Sequence, residues 1–417
     1  MRRRQNGIAY AGNALYCDKI PLSQIAEQTG TPVYIYSANR IAERVDQFET
    51  AFGSYPHLLC YAVKANSNIV LLRLLARQGT GFDIVSGGEL YRVLKAGGQP
   101  SKTVFSGVGK TAEEIDYALK SNIMLFNCES ESELRLLNDR AVRMKMQANA
   151  ALRINPAVNA KTHPYIATGL NEHKFGIKMS IAEWLYRECN SLPGLRIIGI
   201  SCHIGSQICS LTPFSEAVQK LVEMATRLRK DGFTVEYLDA GGGLAVPYRK
   251  EDTAPTIGDY TRNLLKCVRN SGLKLIIEPG RSIVADAGVL LTRVIHVKSN
   301  GKKKFVIVDA AMNDLIRPSL YGAYHEIRPV ERMKSPMQKA DLVGPVCETG
   351  DFFARDRLIP SVKPGNLLAI LTVGAYGFVL SSNYNSRPRP VEVMVEGDQW
   401  KVVRQRESLK DLLRGEA

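Results

Sequence analysis

Between Pro32 and Arg281 the chain alternates short apolar, β-rich runs with longer stretches whose apolar positions recur at helical spacing. Eight such runs can be placed: Leu58 to Val63, Gly81 to Val85, Thr103 to Ser106, Ile123 to Phe126, Ala151 to Ile154, Ile197 to Cys202, Val235 to Asp239 and Leu275 to Ile277. Amphipathic stretches lie between them, among them Asn68 to Gln78, Ser86 to Ala96, Thr111 to Lys120, Ser130 to Ala141, Phe214 to Lys230 and Ile257 to Ser271. This alternation predicts repeated βα units around a parallel sheet. Eight units in about 250 residues is the size of a (β/α)8 barrel.

Beyond Arg281 the pattern changes. Runs such as Val289 to Lys298, Lys304 to Val308, Ala340 to Val343, Asn366 to Thr372 and Val391 to Glu396 are separated by Gly, Pro and Asn, with little helical periodicity until the tail. That predicts an antiparallel β domain. The opening residues hold short β-like pieces that belong to no barrel unit. The expected organisation is an N-terminal segment, 1–31, packing with the β domain, then a barrel, 32–284, then a C-terminal β domain, 285–417.

Composition changes this picture little. A chain of 417 residues with 45% hydrophobic and 23% charged residues is long enough for two domains. The basic start, Met1 to Asn6, is not followed by an apolar stretch of signal-peptide length, and no run approaches the roughly 18 apolar residues of a membrane span. A cytoplasmic protein with no membrane partner is expected. The eight cysteines form no CxxC pair, and several sit inside apolar runs, as small core residues of a reducing compartment do. Cys202, His203 and Cys209 match no common zinc spacing, so no metal is expected. A net charge of +14 raises the question of nucleic acid, but the only tight basic clusters are Arg2 to Arg4 and Lys302 to Lys304. The second follows Asn300-Gly301, a hairpin-turn signal, and reads as a solvated turn. No nucleic-acid partner is expected; the excess charge suits an anionic cofactor and a substrate carrying carboxylates.

In a (β/α)8 barrel the reactive groups sit at the C-terminal ends of the strands. The polar residues just after the apolar runs are Lys64, Asp83, Arg153, His203, Gly241 to Gly243, and Glu278 with Arg281. A lysine at the end of the run YAVK either snorkels to solvent or, partly buried, becomes a competent Schiff-base amine. Gly241-Gly242-Gly243 lets backbone N–H groups approach a phosphate, and Glu278-Pro279-Gly280-Arg281 adds a guanidinium on the next strand. Phosphate sites in barrels commonly follow the seventh and eighth strands. Glu278 either pairs with Arg281 or keeps a pyridine nitrogen protonated. His203 is either structural or placed to stack on a flat ring, with Ser206 near enough in sequence to donate to phosphate. Later, Arg317 and Tyr321 offer a guanidinium and a phenol for a substrate carboxylate. Cys347 and Glu348 stand in a glycine-bounded turn, where the thiol is either a tolerated surface group or a proton donor. Tyr376 stands between small residues in VGAYGF.

Taken in order, YAVKAN, FDIVSGGEL, HKFGI, CHIGSQ, LDAGGGLAVPY, EPGRSIVADAG, RPSLYGAYHEI, GPVCETGDFFARDR and GAYGFVLSSNYNSRPRP span nearly the whole chain. They resemble the diaminopimelate decarboxylase family, pyridoxal 5'-phosphate (PLP) enzymes of fold type III, a group that also holds ornithine and arginine decarboxylases and alanine racemase. The resemblance implies an α/β fold, a PLP-binding (β/α)8 barrel of the alanine racemase kind followed by a β-rich C-terminal domain. It also implies decarboxylation of meso-2,6-diaminopimelate to L-lysine, the last step of lysine biosynthesis by that route. Carried over, Lys64 would hold PLP as a Schiff base with Asp83 near it, and His203 would stack on the ring. Gly242 and the Glu278 to Arg281 segment would bind cofactor, with Glu278 at the pyridine nitrogen. Arg281, Arg317, Tyr321, Glu348 and Tyr376 would contact substrate, Tyr376 also PLP. Cys347 would donate a proton from the partner subunit of a homodimer.

Thr349 stands where this motif more often has serine, keeping a hydroxyl, and MRRR is outside the family pattern. Rival readings are a decarboxylase of ornithine, lysine or arginine, an amino acid racemase, and a non-catalytic PLP-binding protein. Arg317 with Tyr321 and Glu348 favours a substrate whose far end carries both a carboxylate and an amine. The segment from His163 to Lys174 has the glycine and polar content of a closing loop.

Overall fold

The computed structural model describes residues 6–159 and 174–417. Arg2 to Arg4, and all but the last residue of the segment His163 to Lys174, lie outside them. The chain divides into two compact units, one made of Val45–Val246 and Thr253–Ser282, the other of Met1–Arg44, Pro247–Asp252 and Ile283–Ala417.

The first unit is a closed barrel of eight parallel strands: His57–Ala62, Gly81–Ile84, Thr103–Phe105, Leu125–Cys128, Ala148–Asn155, Leu195–Ser201, Tyr237–Asp239 and Lys274–Ile277. Each pairs in parallel with the next, and the eighth closes on the first through Leu275↔His57, Ile276↔Leu58 and Ile277↔Leu59. Cys60, Val104, Leu125, Ala151, Ile198 and Ile276, from six of the eight strands, form a buried cluster, so the barrel is filled rather than hollow. Burying each large apolar side chain contributes about 1.5–3 kcal/mol.

Five of the barrel's helices begin at a side-chain cap. Asn68 Oδ1 accepts from Val70 N, Ser86 from Glu89 N, Ser130 from Glu133 N and Thr256 from Asp259 N. Thr111 and Glu114 form a reciprocal capping box. These caps follow the first, second, third, fourth and seventh strands and leave their last residues, and the loops after them, at one end of the barrel.

The second unit is built on antiparallel sheet. Its central strand, Gly288–Asn300, pairs with Lys303–Val308, Leu367–Leu371 and Val33–Ser37. Asn300↔Lys303 closes a hairpin with Gly301 at φ +58°; of the Lys302 to Lys304 cluster only Lys302 lies in the turn, while Lys303 and Lys304 open the next strand, exposed but bonded to Asp341 and Gln338. Val391–Glu396 lies parallel to Val33–Ser37, and a small sheet of Ile8–Ala11, Ala14–Cys17 and Ile20–Pro21 belongs to this unit. Leu15, Leu22, Val33, Ile35, Val289, Leu291, Val393 and Val395 share its core. Among the described residues, no helix is long and apolar enough to cross a membrane.

Candidate active site

The first barrel strand ends at Ala62, and Lys64 sits in the short turn Val63–Ala65 that follows. Its Nζ lies 3.0 Å from Asp83 Oδ2, at the end of the second strand. Asp83 is fully buried and the Lys64 side chain 34% exposed, so the amine reaches out of the core while its partner stays inside.

Facing this pair are the ends of the sixth, seventh and eighth strands. Gly242 N–H donates to His203 Nδ1 at 3.1 Å, which makes Nδ1 the unprotonated nitrogen. Burial, and then the positive fields of Lys64 and Arg153, hold the His203 imidazole well below the usual histidine range. Arg281 Nη2 donates to Ser206 Oγ at 3.0 Å. The glycines are required sterically: a Cβ on Gly242 would lie 2.2 Å from the Glu278 carbonyl oxygen, and one on Gly243, at φ +110°, 2.3 Å from the Gly205 carbonyl oxygen. Gly241 has φ +66°, and a Cβ on Gly280 would press within 2.9 Å of the Ala65 Cβ, next to Lys64.

Glu278 is buried. Its Oε1 accepts from Ser106 Oγ at 3.1 Å and from Asn127 Nδ2 at 3.3 Å. Burial, then the negative fields of Asp239 and Asp83, push its carboxyl well above the usual range, against a smaller pull from Lys64. It does not form the ion pair with Arg281 that the sequence left open; the contacts of its carboxylate are with the third, fourth and seventh strand ends.

Arg153 behaves differently from its neighbours. Its Nη1 bonds Glu129 Oε1 at 2.6 Å and its guanidinium lies 5.0 Å from the Phe175 ring, while Glu129 Oε2 accepts from Gly176 N at 3.0 Å. This guanidinium therefore ties the fifth strand to the segment beginning at Lys174.

The remaining candidates are carried by the second unit. Arg317, buried, donates from Nη2 to Tyr248 Oη at 3.3 Å and from Nε to His325 Nε2 at 3.4 Å, and its guanidinium lies 5.8 Å from the Tyr321 ring. Cys347 and Glu348 are exposed, in a turn pinned by Asp351, whose Oδ2 accepts from Val346 N at 2.7 Å. Asn385 Oδ1 accepts from Cys347 N at 3.0 Å and Glu348 Oε2 from Tyr384 Oη at 2.8 Å. Tyr376 is half-buried at φ +56°, a conformation that costs a bulky residue energy and concentrates at binding sites.

Sequence reading passed over Ser106, Asn127, Asp239, Tyr248, His325, Asp351 and Asn385. For Ser106 and Asp239 a signal existed, since each ends an apolar run; Asn127 lies one residue beyond its run, and for the others only the folded chain brings the partners together.

Residues 38–285 match the pyridoxal-dependent decarboxylase family at its pyridoxal binding domain. The chain is 52% identical to the diaminopimelate decarboxylase of Vibrio cholerae, over 95% of each chain. Among solved structures it is similar to the Helicobacter pylori diaminopimelate decarboxylase complexed with L-lysine, with 43% identity, a TM-score of 0.91, and coverage of 94% of this chain and 98% of that one. It is also similar to the M. jannaschii diaminopimelate decarboxylase in co-complex with L-lysine, with 37% identity, a TM-score of 0.94, and coverage of 99% and 98%. The chain thus belongs to the pyridoxal-dependent decarboxylases, in their diaminopimelate decarboxylase branch.

Proposed function

We propose that this chain decarboxylates meso-2,6-diaminopimelate to L-lysine and carbon dioxide, with PLP attached at Lys64. The observation that carries the reading is the convergence of Lys64, Asp83, His203, Glu278 and the Gly241 to Gly243 turn at one end of a single barrel.

The residues fit this cofactor. They offer an amine for its aldehyde, a buried carboxyl for its ring nitrogen, and a guanidinium and a hydroxyl, Arg281 and Ser206, for its phosphate. A Cβ would fill the cradle at Gly242, and Asp83 Oδ1 and Asn127 Oδ1 are buried polar atoms with no partner among the described residues, as in a site built for a polar guest.

When bound, PLP supplies the electron sink that accepts the pair left as the carboxylate departs. Lys64 fixes the group in place and Asp83 orients its amine. His203, kept neutral, presents a flat ring to stack without adding charge. Glu278 holds a proton at the ring nitrogen. Arg317 and Tyr321 bind the distal carboxylate of the substrate, Glu348 its distal ammonium, and Arg281 and Tyr376 complete the contacts. Cys347 returns a proton to the carbon that has lost carbon dioxide. We take that thiol to act in the site of the partner subunit of a homodimer, because it is exposed in a rigid turn rather than packed in its own core. A cytoplasmic location suits eight cysteines that are all free.

Incubating the PLP-loaded protein with meso-diaminopimelate and resolving the product by chirality tests this. L-Lysine is expected; D-lysine or no lysine contradicts it.

A further inference from the structure

Resting on that reading of Glu348, we propose that Tyr384 is a positioning residue: its hydroxyl holds the Glu348 carboxylate in the orientation that takes the distal ammonium of the substrate, and so selects for a substrate that carries that amine.

Tyr384 Oη donates to Glu348 Oε2 at 2.8 Å. A bond between two exposed side chains ordinarily contributes little, because both must be ordered to make it. Here the backbone has done the ordering. Glu348 stands in a turn fixed by Asp351, whose carboxylate oxygens accept from Met312 N and Val346 N, each at 2.7 Å, and whose own N–H donates to the Glu348 carbonyl at 3.0 Å. Tyr384 stands in a second turn. There Ser382 N donates to the Asn313 carbonyl at 2.9 Å, and Asn383 Nδ2 donates to the Arg387 carbonyl at 3.1 Å and to Glu407 Oε2 at 2.6 Å. Asn385 Oδ1, accepting from Cys347 N at 3.0 Å, joins the two turns without help from Tyr384. Asn385 and Ser386 run at φ +56° and +52°, a left-handed conformation that costs a residue with a side chain energy and is kept where its surroundings require it. The phenol and the carboxylate therefore meet as parts of one frame.

The bond also divides the carboxylate's work. Oε2 is occupied by the phenol, and Oε1 lies over Gly350, where a Cβ would stand 2.9 Å from it. Among the described residues Glu348 has no ion-pair partner, so its charge is left for a ligand cation. A donated hydrogen bond favours the ionised carboxylate. The same bond lifts the Tyr384 phenol above the ordinary tyrosine range, which keeps it a donor.

Two ligands separate positioning from general support. L-Lysine, the product on this reading, keeps the distal carboxylate and its neighbouring ammonium; 6-aminohexanoate keeps the carboxylate and lacks that ammonium. Each is titrated into PLP-loaded native and Tyr384→Phe protein, a change that removes one exposed hydroxyl. Tyr384→Phe is expected to weaken L-lysine about tenfold and to leave 6-aminohexanoate unchanged. Equal weakening of both, or of neither, overturns the proposal. In a Glu348→Ala background Tyr384→Phe is expected to weaken L-lysine no further; a second tenfold loss there also overturns it. Without any ligand, carbon NMR of tyrosine-labelled protein is expected to show Tyr384 titrating at higher pH in the native chain than in Glu348→Ala. Equal titration would remove the bond and the role of Tyr384 alone, whereas a native chain that binds no L-lysine would sink the reading of Glu348 and the role of Tyr384 with it.

Discussion

Lys64 Nζ and Asp83 Oδ2 stand 3.0 Å apart, joining a partly exposed amine to a carboxylate with no exposed surface. The arrangement holds the amine at the barrel mouth without sinking it into the core. Removing a buried charge's partner is costly, so Lys64→Ala should lower stability by about 1–3 kcal/mol in chemical denaturation of the cofactor-free protein. The same variant should lose the visible absorbance of lysine-bound PLP, with turnover reduced at least 10²–10⁴-fold, roughly the scale of a lost proton-transferring group.

Cys347→Ala should leave that absorbance intact and lower turnover by about 10²–10⁴-fold. Mixing it with Lys64→Ala tests the shared site. If each site uses Lys64 of one subunit and Cys347 of the other, random reassociation restores about a quarter of native activity, because half the dimers then carry one intact site. No recovery after proven subunit exchange would place both groups in one chain's site.

His203 should remain neutral on acidification. Its folded value is depressed, so the unfolded chain binds the proton first; the contribution is neutral above about pH 6.5 and turns destabilising as pH falls below that. Nitrogen NMR of the cofactor-free protein should show no protonation of this ring across the ordinary histidine range. A normal titration there would contradict the bond from Gly242 N–H to Nδ1.

Gly242→Ala should fold poorly or bind PLP at least tenfold more weakly, since the new methyl would overlap the Glu278 carbonyl, backbone rather than a movable side chain. Equilibrium dialysis with PLP measures this. Native affinity would mean that the turn yields at no cost.

Much of the barrel mouth was legible because strand ends carry chemistry, and Lys64, His203, Gly241 to Gly243 and Glu278 follow apolar runs directly. Asn127, a partner of Glu278, was hidden by one residue: the apolar run stops at Phe126, while the strand continues through Asn127 to Cys128. The fifth strand begins at Ala148 rather than Ala151, because Ala-Asn-Ala has weak β preference and is held there by pairing with Leu195 to Ile197. The seventh strand is shorter than its apolar run, with Val235 buried just outside it. Val33–Ser37 is buried throughout, and no local pattern says that its partners lie near residues 290 and 393. Tyr248, 69 residues from Arg317, is likewise a long-range partner; His325 is only eight residues on, in the same segment, but no helical or strand spacing announces its contact.

Carbon dioxide release from meso-diaminopimelate, set beside L-ornithine, L-lysine and L-arginine with the same PLP-loaded protein, tests the central claim most directly. Release from diaminopimelate alone is the predicted result. Release only from a simple diamino acid would preserve the fold and cofactor but contradict the roles given to Arg317, Tyr321 and Glu348.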